Sequence, residues 1–216
     1  MRRTMGLLLG ALLIGGALVA LPAMCHAEAF ADIGIGGAFT QNEDVTAHGF
    51  GAASGTFRGD FADSFTAGGR GGYWFDEIPW FGVGGSVSYF QPDVKPADVP
   101  GFERIDVTVV PLTALAMFRA PVQVSRRFPY GQIQPYAAVG PGIFISTASD
   151  SAFSATSVDA GVDVHAGVTF LFTPEVGMFG EYRFTHFSPE LEDEGRKLET
   201  DGNTHYFVTG LSLRFY

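Results

Sequence analysis

Cysteine and lysine are almost absent from this chain of 216 residues, which carries one cysteine, Cys25, and two lysines, Lys95 and Lys197. Cys25 lies within the first 27 residues, so the remainder has no thiol and no route to a disulfide. Its stability must come from backbone pairing and burial. Basic residues as a whole are few, 13 against 23 acidic ones, for a formal net charge of −10. No basic stripe is available to meet phosphates, so no nucleic-acid partner is expected. Beyond residue 27 no segment holds a sustained helical period. No compact calcium-loop spacing occurs, and Gly34-x-Gly36 does not open a helix as a phosphate-binding loop would. Neither a metal nor an organic cofactor is expected.

The first 27 residues have a different character. Arg2 and Arg3 precede a nearly unbroken apolar run from Met5 to Leu21, and Ala27 offers a small residue for cleavage. That layout predicts a secretory signal peptide over 1–27, leaving residues 28–216 as one domain. The leader holds two of the basic residues and none of the acidic ones, so its removal takes the net charge from −10 to −12.

What recurs after the leader is a period of two, the mark of strands with one apolar face. From Val158 to Phe172 the even positions carry Val158, Ala160, Val162, Val164, Ala166, Val168, Phe170 and Phe172. The odd positions carry Asp159, Gly161, Asp163, His165, Gly167, Thr169 and Leu171. Seven more segments read similarly: Phe30–Thr40, Ser64–Phe75, Trp80–Phe90, Arg104–Arg119, Gln132–Thr147, Val176–Phe187 and Thr204–Phe215. Arg104–Arg119 is apolar on both faces, and Pro111 predicts a bulge or kink there. Gly140-Pro141-Gly142 leaves the facing of Gln132–Thr147 open.

Links after the second and sixth segments, Asp76–Pro79 and Thr173–Glu175, are short, and the link after the fourth contains Arg126-Arg127. Those after the first, third, fifth and seventh are longer, polar and mostly acidic. Both lysines are placed in these loops and neither in a strand. Short turns alternating with long loops are the rhythm of an up-and-down barrel with one rim in the periplasm and the other outside. The polar faces are built from Gly, Ser and Thr with a few Arg, Asp and Glu, unlike the lysine-rich face of a soluble barrel. Aromatic residues gather near strand ends. Segments of roughly 10–15 residues can cross a bilayer at a tilt, and in hydrocarbon they must close so that every backbone group is paired. The expected fold is all-β: an eight-stranded antiparallel up-and-down transmembrane barrel.

Several motifs are similar to those of the small OmpA-like outer-membrane β-barrel family. They are Gly69-Arg70-Gly71-Gly72-Tyr73-Trp74-Phe75, Gln134-Pro135-Tyr136 with Gly140-Pro141-Gly142, Glu181-Tyr182-Arg183-Phe184-Thr185, and Leu213-Arg214-Phe215-Tyr216. The resemblance spans 28–216 and implies a Gram-negative outer-membrane location, with lipids and lipopolysaccharide as surroundings. It also implies the barrel-assembly machinery as a partner, read through the terminal aromatic. Phe215 fits the lipid-facing phase of such ends, and Tyr216 adds one residue. The resemblance carries little about function and leaves the oligomeric state open.

Two groups of residues carry candidate chemistry. If Thr173–Glu175 is a three-residue turn, His165 stands across from Arg183 and Gly167 across from Glu181, with Asp163 diagonal to Arg183. With Arg70 and Arg214 also pointing inward, Arg70, Asp163, His165, Glu181, Arg183 and Arg214 are expected to form a polar network filling a narrow lumen. The second group is His186-Phe187-Ser188 on the lipid side of the outer rim. It resembles the His-x-Ser pair of outer-membrane lipid A deacylases, in which a histidine activates a serine and an acid orients the imidazole. Glu199 is the best-spaced acid, with Glu192 and Glu194 as substitutes, and Pro189 stands where those enzymes have Asn. The segment Pro189–Asp201 carries six acids against Arg196 and Lys197 and reads as a solvated surface loop. The leading expectation is a non-enzymatic barrel serving membrane integrity or surface interaction. A deacylase and a narrow small-solute channel are the alternatives.

Overall fold

The computed structural model describes residues 27–41, 44–48, 55–61, 63–96, 105–149, 154–188, 190–193, 196–199 and 202–216. The leader expected at 1–27 lies outside them apart from Ala27, where the first strand begins. Among the described residues thirteen strands follow one another: β1 (Ala27–Thr40), β2 (Asp44–His48), β3 (Gly55–Phe61), β4 (Ser64–Phe75), β5 (Phe81–Phe90), β6 (Asp93–Pro96), β7 (Ile105–Arg119), β8 (Ile133–Ser149), β9 (Ser154–Leu171), β10 (Val176–Phe187), β11 (Glu190–Asp193), β12 (Arg196–Glu199) and β13 (Gly202–Phe215).

Eight of them form the wall, in the order β1-β4-β5-β7-β8-β9-β10-β13, every neighbouring pair antiparallel. β1 pairs with both β4 and β13, which closes the barrel. Closure removes the sheet edges that would otherwise present unpaired N–H and C=O groups to lipid. The expected register of β9 and β10 is the one adopted, with His165 across from Arg183 and Gly167 across from Glu181. Along every wall strand one parity is buried inside and the other faces out. The outward set includes Ile33, Ile35, Val87, Leu112, Val139, Ile143, Val162, Val164, Val168, Met178, Leu211 and Leu213, all exposed. An apolar surface this continuous is the face a bilayer covers. At the short-turn rim Trp80 stacks on Phe118 at 6.2 Å and Phe75 on Phe81 at 5.8 Å. At the opposite rim Phe39 meets Phe207 edge to face at 6.0 Å. These are the two aromatic girdles.

Four expectations need correction. Lys95 and Lys197 are not in irregular loops but in β6 and β12. With β2, β3 and β11 these short strands extend the sheet beyond the wall in the order β11-β12-β2-β3-β6-β7. The sequence signal for loops was polarity, yet in these strands each basic residue stands opposite an acid in register. Asp44 stands across from Arg58, Asp60 from Lys95, Glu192 from Lys197 and Asp193 from Arg196, although Glu190 stands across from Glu199 and Asp93 from Asp106. Likewise Pro189–Asp201 is not a simple loop, since β11 and β12 pair within it. The link after the fifth segment is short as well, because β8 and β9 stay paired out to Ser149 and Ser154.

Pro111 makes no bulge. The offset between β7 and β5 is the same at Leu112↔Val87 and Val109↔Phe90. Pro111, which has no N–H to give, sits where that ladder lapses. Pro141 sits in a similar lapse between β7 and β8, with unchanged register from Thr113↔Gly142 to Ala116↔Val139. The facing of β8 is continuous through it, with Gln134, Tyr136, Ala138, Phe144 and Ser146 all buried inside.

Candidate functional site

An eight-stranded barrel leaves an interior just wide enough for side chains, and here three levels fill it. Along β1 the inward residues Glu28, Phe30, Asp32 and Ala38 mark successive heights from the short-turn rim toward the long-loop rim, and all are buried.

The middle level is a chain of charges. The Arg70 guanidinium from β4 lies 2.6 Å from Asp32 of β1 and 2.5 Å from Glu181 of β10. Its face covers the Tyr136 ring at 4.7 Å, and the Tyr136 hydroxyl donates to Glu181 at 2.9 Å. The other Glu181 oxygen lies 3.2 Å from Arg183 and 3.1 Å from His165 Nδ1. His165 Nε2 reaches Asp163 at 2.9 Å. The His165 contacts are close but not aligned as hydrogen bonds. The remaining carboxylate oxygens are capped by hydroxyls. Ser212 donates to Asp32 at 2.6 Å and Thr185 to Asp163 at 3.0 Å, while Arg183 donates to Ser88 at 3.1 Å. Buried charges persist only when paired and hydrogen-bonded in this way.

Below it, toward the short turns, Glu28 lies 2.7 Å from Arg119 and 3.5 Å from Arg214. Arg119 also donates to the Pro79 carbonyl at 2.7 Å and stacks over Trp74 at 4.5 Å. Phe30, Trp74, Leu115, Met117 and Ala138 separate this cluster from the middle level. Above the middle level Ala38, Phe90, Val109, Phe144, Phe187 and Tyr206 pack into an apolar plug. Within it Phe144 stacks on Phe187 at 4.7 Å, and Phe90 meets Tyr206 edge to face at 5.2 Å. A cavity lined by Asp32, Arg70, Ser88, Glu181 and Arg183 measures about 20 Å³, room for about one water.

Five of the six predicted lumen residues, Arg70, Asp163, His165, Glu181 and Arg183, therefore lie in one network. Arg214 stands apart in the lower cluster. Asp163 meets His165 and Thr185, while Arg183 turns to Glu181. Sequence reasoning missed Asp32, Tyr136, Glu28 and Arg119. The first had a legible signal, a carboxylate on the parity opposite Ile33 and Ile35. Glu28 was hidden by its place at the leader junction, and Arg119 by a strand whose two faces are both apolar.

His186 faces outward at the long-loop rim, and its Nδ1 lies 2.8 Å from Asn203 Oδ1. Ser188, just past β10, is exposed. Glu192 and Glu199 fall in β11 and β12, but their side chains lie outside the described ones, as does residue Glu194. Among the described residues, the group bonded to the His186 imidazole is the Asn203 amide. Among the described residues no group of three or more His, Cys, Asp and Glu is arranged to hold a metal ion.

An antiparallel barrel with an apolar exterior, two aromatic girdles and an occluded polar interior defines the class, a membrane-spanning β-barrel protein. The chain belongs to the outer membrane protein beta-barrel domain family, whose model matches residues 10–215. Solved barrels share the fold at low identity. Neisserial surface protein A is 15% identical with a TM-score of 0.53, over 88% of this chain and 97% of its own. OprG from Pseudomonas aeruginosa is 13% identical with a TM-score of 0.66, over 88% and 96%. The outer membrane protein AlkL is 13% identical with a TM-score of 0.57, over 91% and 93%. No curated protein matches the sequence.

Proposed function

We propose that this protein is a closed, non-conducting and non-enzymatic outer-membrane barrel that contributes to envelope integrity and meets partners through its long-loop rim. The observation that carries the reading is the filled lumen. A solute entering from either rim meets a paired-charge level and an apolar level before it can pass. In this reading the long-loop rim faces the exterior, following the usual asymmetry of short periplasmic turns and long outer loops. The short strands β2, β3, β6, β11 and β12, of which β2 and β11 are net acidic, then stand at the cell surface. Cleavage of residues 1–27, insertion by the barrel-assembly machinery and contact with lipopolysaccharide belong to the same reading.

The test is electrical. Purified protein inserted into a planar bilayer is expected to give no steps of the size a general porin gives. Conductance steps of porin size from the folded wild-type protein would overturn the reading.

A further inference from the structure

The lipid-facing surface is apolar along most of the wall, but toward the long-loop rim three neighbouring strands place polar side chains outward, in a patch that climbs from Tyr182 to His186. β10 contributes Tyr182 and His186, β13 contributes Asn203 and His205, and β1 ends beside Gln41. The register sets His186 across from Asn203 and places His205 between Phe184 on β10 and Phe39 on β1. These groups are tied to each other. Gln41 Nε2 donates to His205 Nε2 at 2.8 Å, and His205 Nδ1 shares a hydrogen bond with the Tyr182 hydroxyl at 2.7 Å. The amide oxygen of Asn203 can only accept, so His186 donates to it from Nδ1. Aromatic faces frame the row, with Phe184 at 5.1 Å from the His205 ring and Phe207 at 5.5 Å from Tyr182.

We propose that this row is a binding site for the sugar headgroup of an outer-leaflet glycolipid, whose acyl chains lie on the aromatic and aliphatic wall below it. The leaflet rests on the orientation given above, with the long loops outside; the site itself does not. Three observations favour that occupant. The row stands where the apolar belt gives way to the loop strands, which is the height of a headgroup. Its donors and acceptors are amides, imidazoles and a phenol beside ring faces, groups that match sugar hydroxyls and the apolar faces of a pyranose. Among the described residues, none of the outward positions of β1, β10 and β13 is Arg or Lys, so these three strands themselves offer a phosphate no permanent cation. The mutual hydrogen bonds hold the side chains in place before the lipid arrives, which lowers the ordering cost of binding.

The experiment uses the full barrel in phospholipid nanodiscs doped with either diphosphorylated lipid A or its dephosphorylated form, with retained lipid counted by native mass spectrometry. Wild-type protein is expected to keep one glycolipid of either form. N203L/H205L is expected to lower retention at least tenfold, while the outward change L112V on β7, across the barrel from the row, leaves it unaltered. H205F keeps the ring packing and removes both nitrogens, so it supplies a second variant with a lipid-compatible surface and is expected to weaken retention as well. Retention in the wild type no better than that of phospholipid, unchanged retention in N203L/H205L and H205F, or loss on dephosphorylation would each overturn the proposal. None of these outcomes bears on conductance, so the closed-lumen reading stands or falls separately.

Discussion

Glu181 concentrates the electrostatics of the lumen in one side chain. Its two oxygens meet Arg70, Arg183, His165 and the Tyr136 hydroxyl, and the side chain is almost wholly buried. The pair with Arg70 need not add net stability relative to a well-packed apolar pair, since desolvation offsets the attraction. Removing one partner is different, because it strands the other charge in the interior at about 3–5 kcal/mol. E181Q and R70M should each destabilise the barrel by about that much. The double variant R70M/E181Q should cost less than the sum, with a coupling of about 0.5–3 kcal/mol. Denaturant unfolding of the protein in lipid vesicles measures all three. Strict additivity would mean that each residue acts through separate partners and would dismantle the network as described.

At the scale of the strand, the eight wall segments were legible because lipid imposes one chemistry on one face. A slip of one residue in β4 or β10 would turn Arg70 or Glu181 toward hydrocarbon. For an arginine at the bilayer midplane that costs about 2–4 kcal/mol, so the inward charges hold the alternation in phase. The short strands β2, β3, β6, β11 and β12 were not legible. They lie beyond the apolar wall, where alternation is not enforced, and only the register reveals which segments pair. The site was legible where the turn between β9 and β10 fixed the register and at Asp32, directly across from Arg70 in the β1–β4 ladder, but illegible for Tyr136, whose meeting with Arg70 depends on closure of the barrel. The rim row around His205 was hidden for a similar reason, since it joins Gln41 to residues far along the chain. Close approach of strands gives a test at this scale. A Cβ on Gly140 would fall on the Ala114 carbonyl oxygen of β7, whereas one on Gly180 would meet nothing within 4 Å. G140A should therefore shift or split the β7–β8 ladder and lower the yield of folded barrel several-fold. G180A should stay within about 0.5 kcal/mol of wild type. Folded yield on refolding into vesicles, followed by far-UV circular dichroism, distinguishes them, and equal yields would refute the assigned β7–β8 contact.

For the whole molecule the consequence of stacking the levels is that occlusion is redundant. The apolar plug of Phe90, Phe144, Phe187 and Tyr206 and the charged level around Arg70 and Glu181 lie one above the other. A path through the lumen crosses both, and resistances in series are governed by the tightest remaining constriction. Opening only the plug, with F144A/F187A, leaves the paired charges in the way. Opening only the middle, with R70S/E181S, removes that pair at the cost of leaving Asp32 without Arg70 and Arg183 without Glu181, and the aromatic rings stay stacked. Each set alone should leave planar-bilayer conductance near the wild-type level. The combined variant, if it retains the circular dichroism of a barrel, should conduct small ions in discrete steps. Conductance from either set alone would show that one level carries the whole barrier. A silent combined variant, still folded, would place the decisive block lower, at Glu28, Arg119 and Trp74, where the arginine stacked on the indole would then be the residue that closes the barrel.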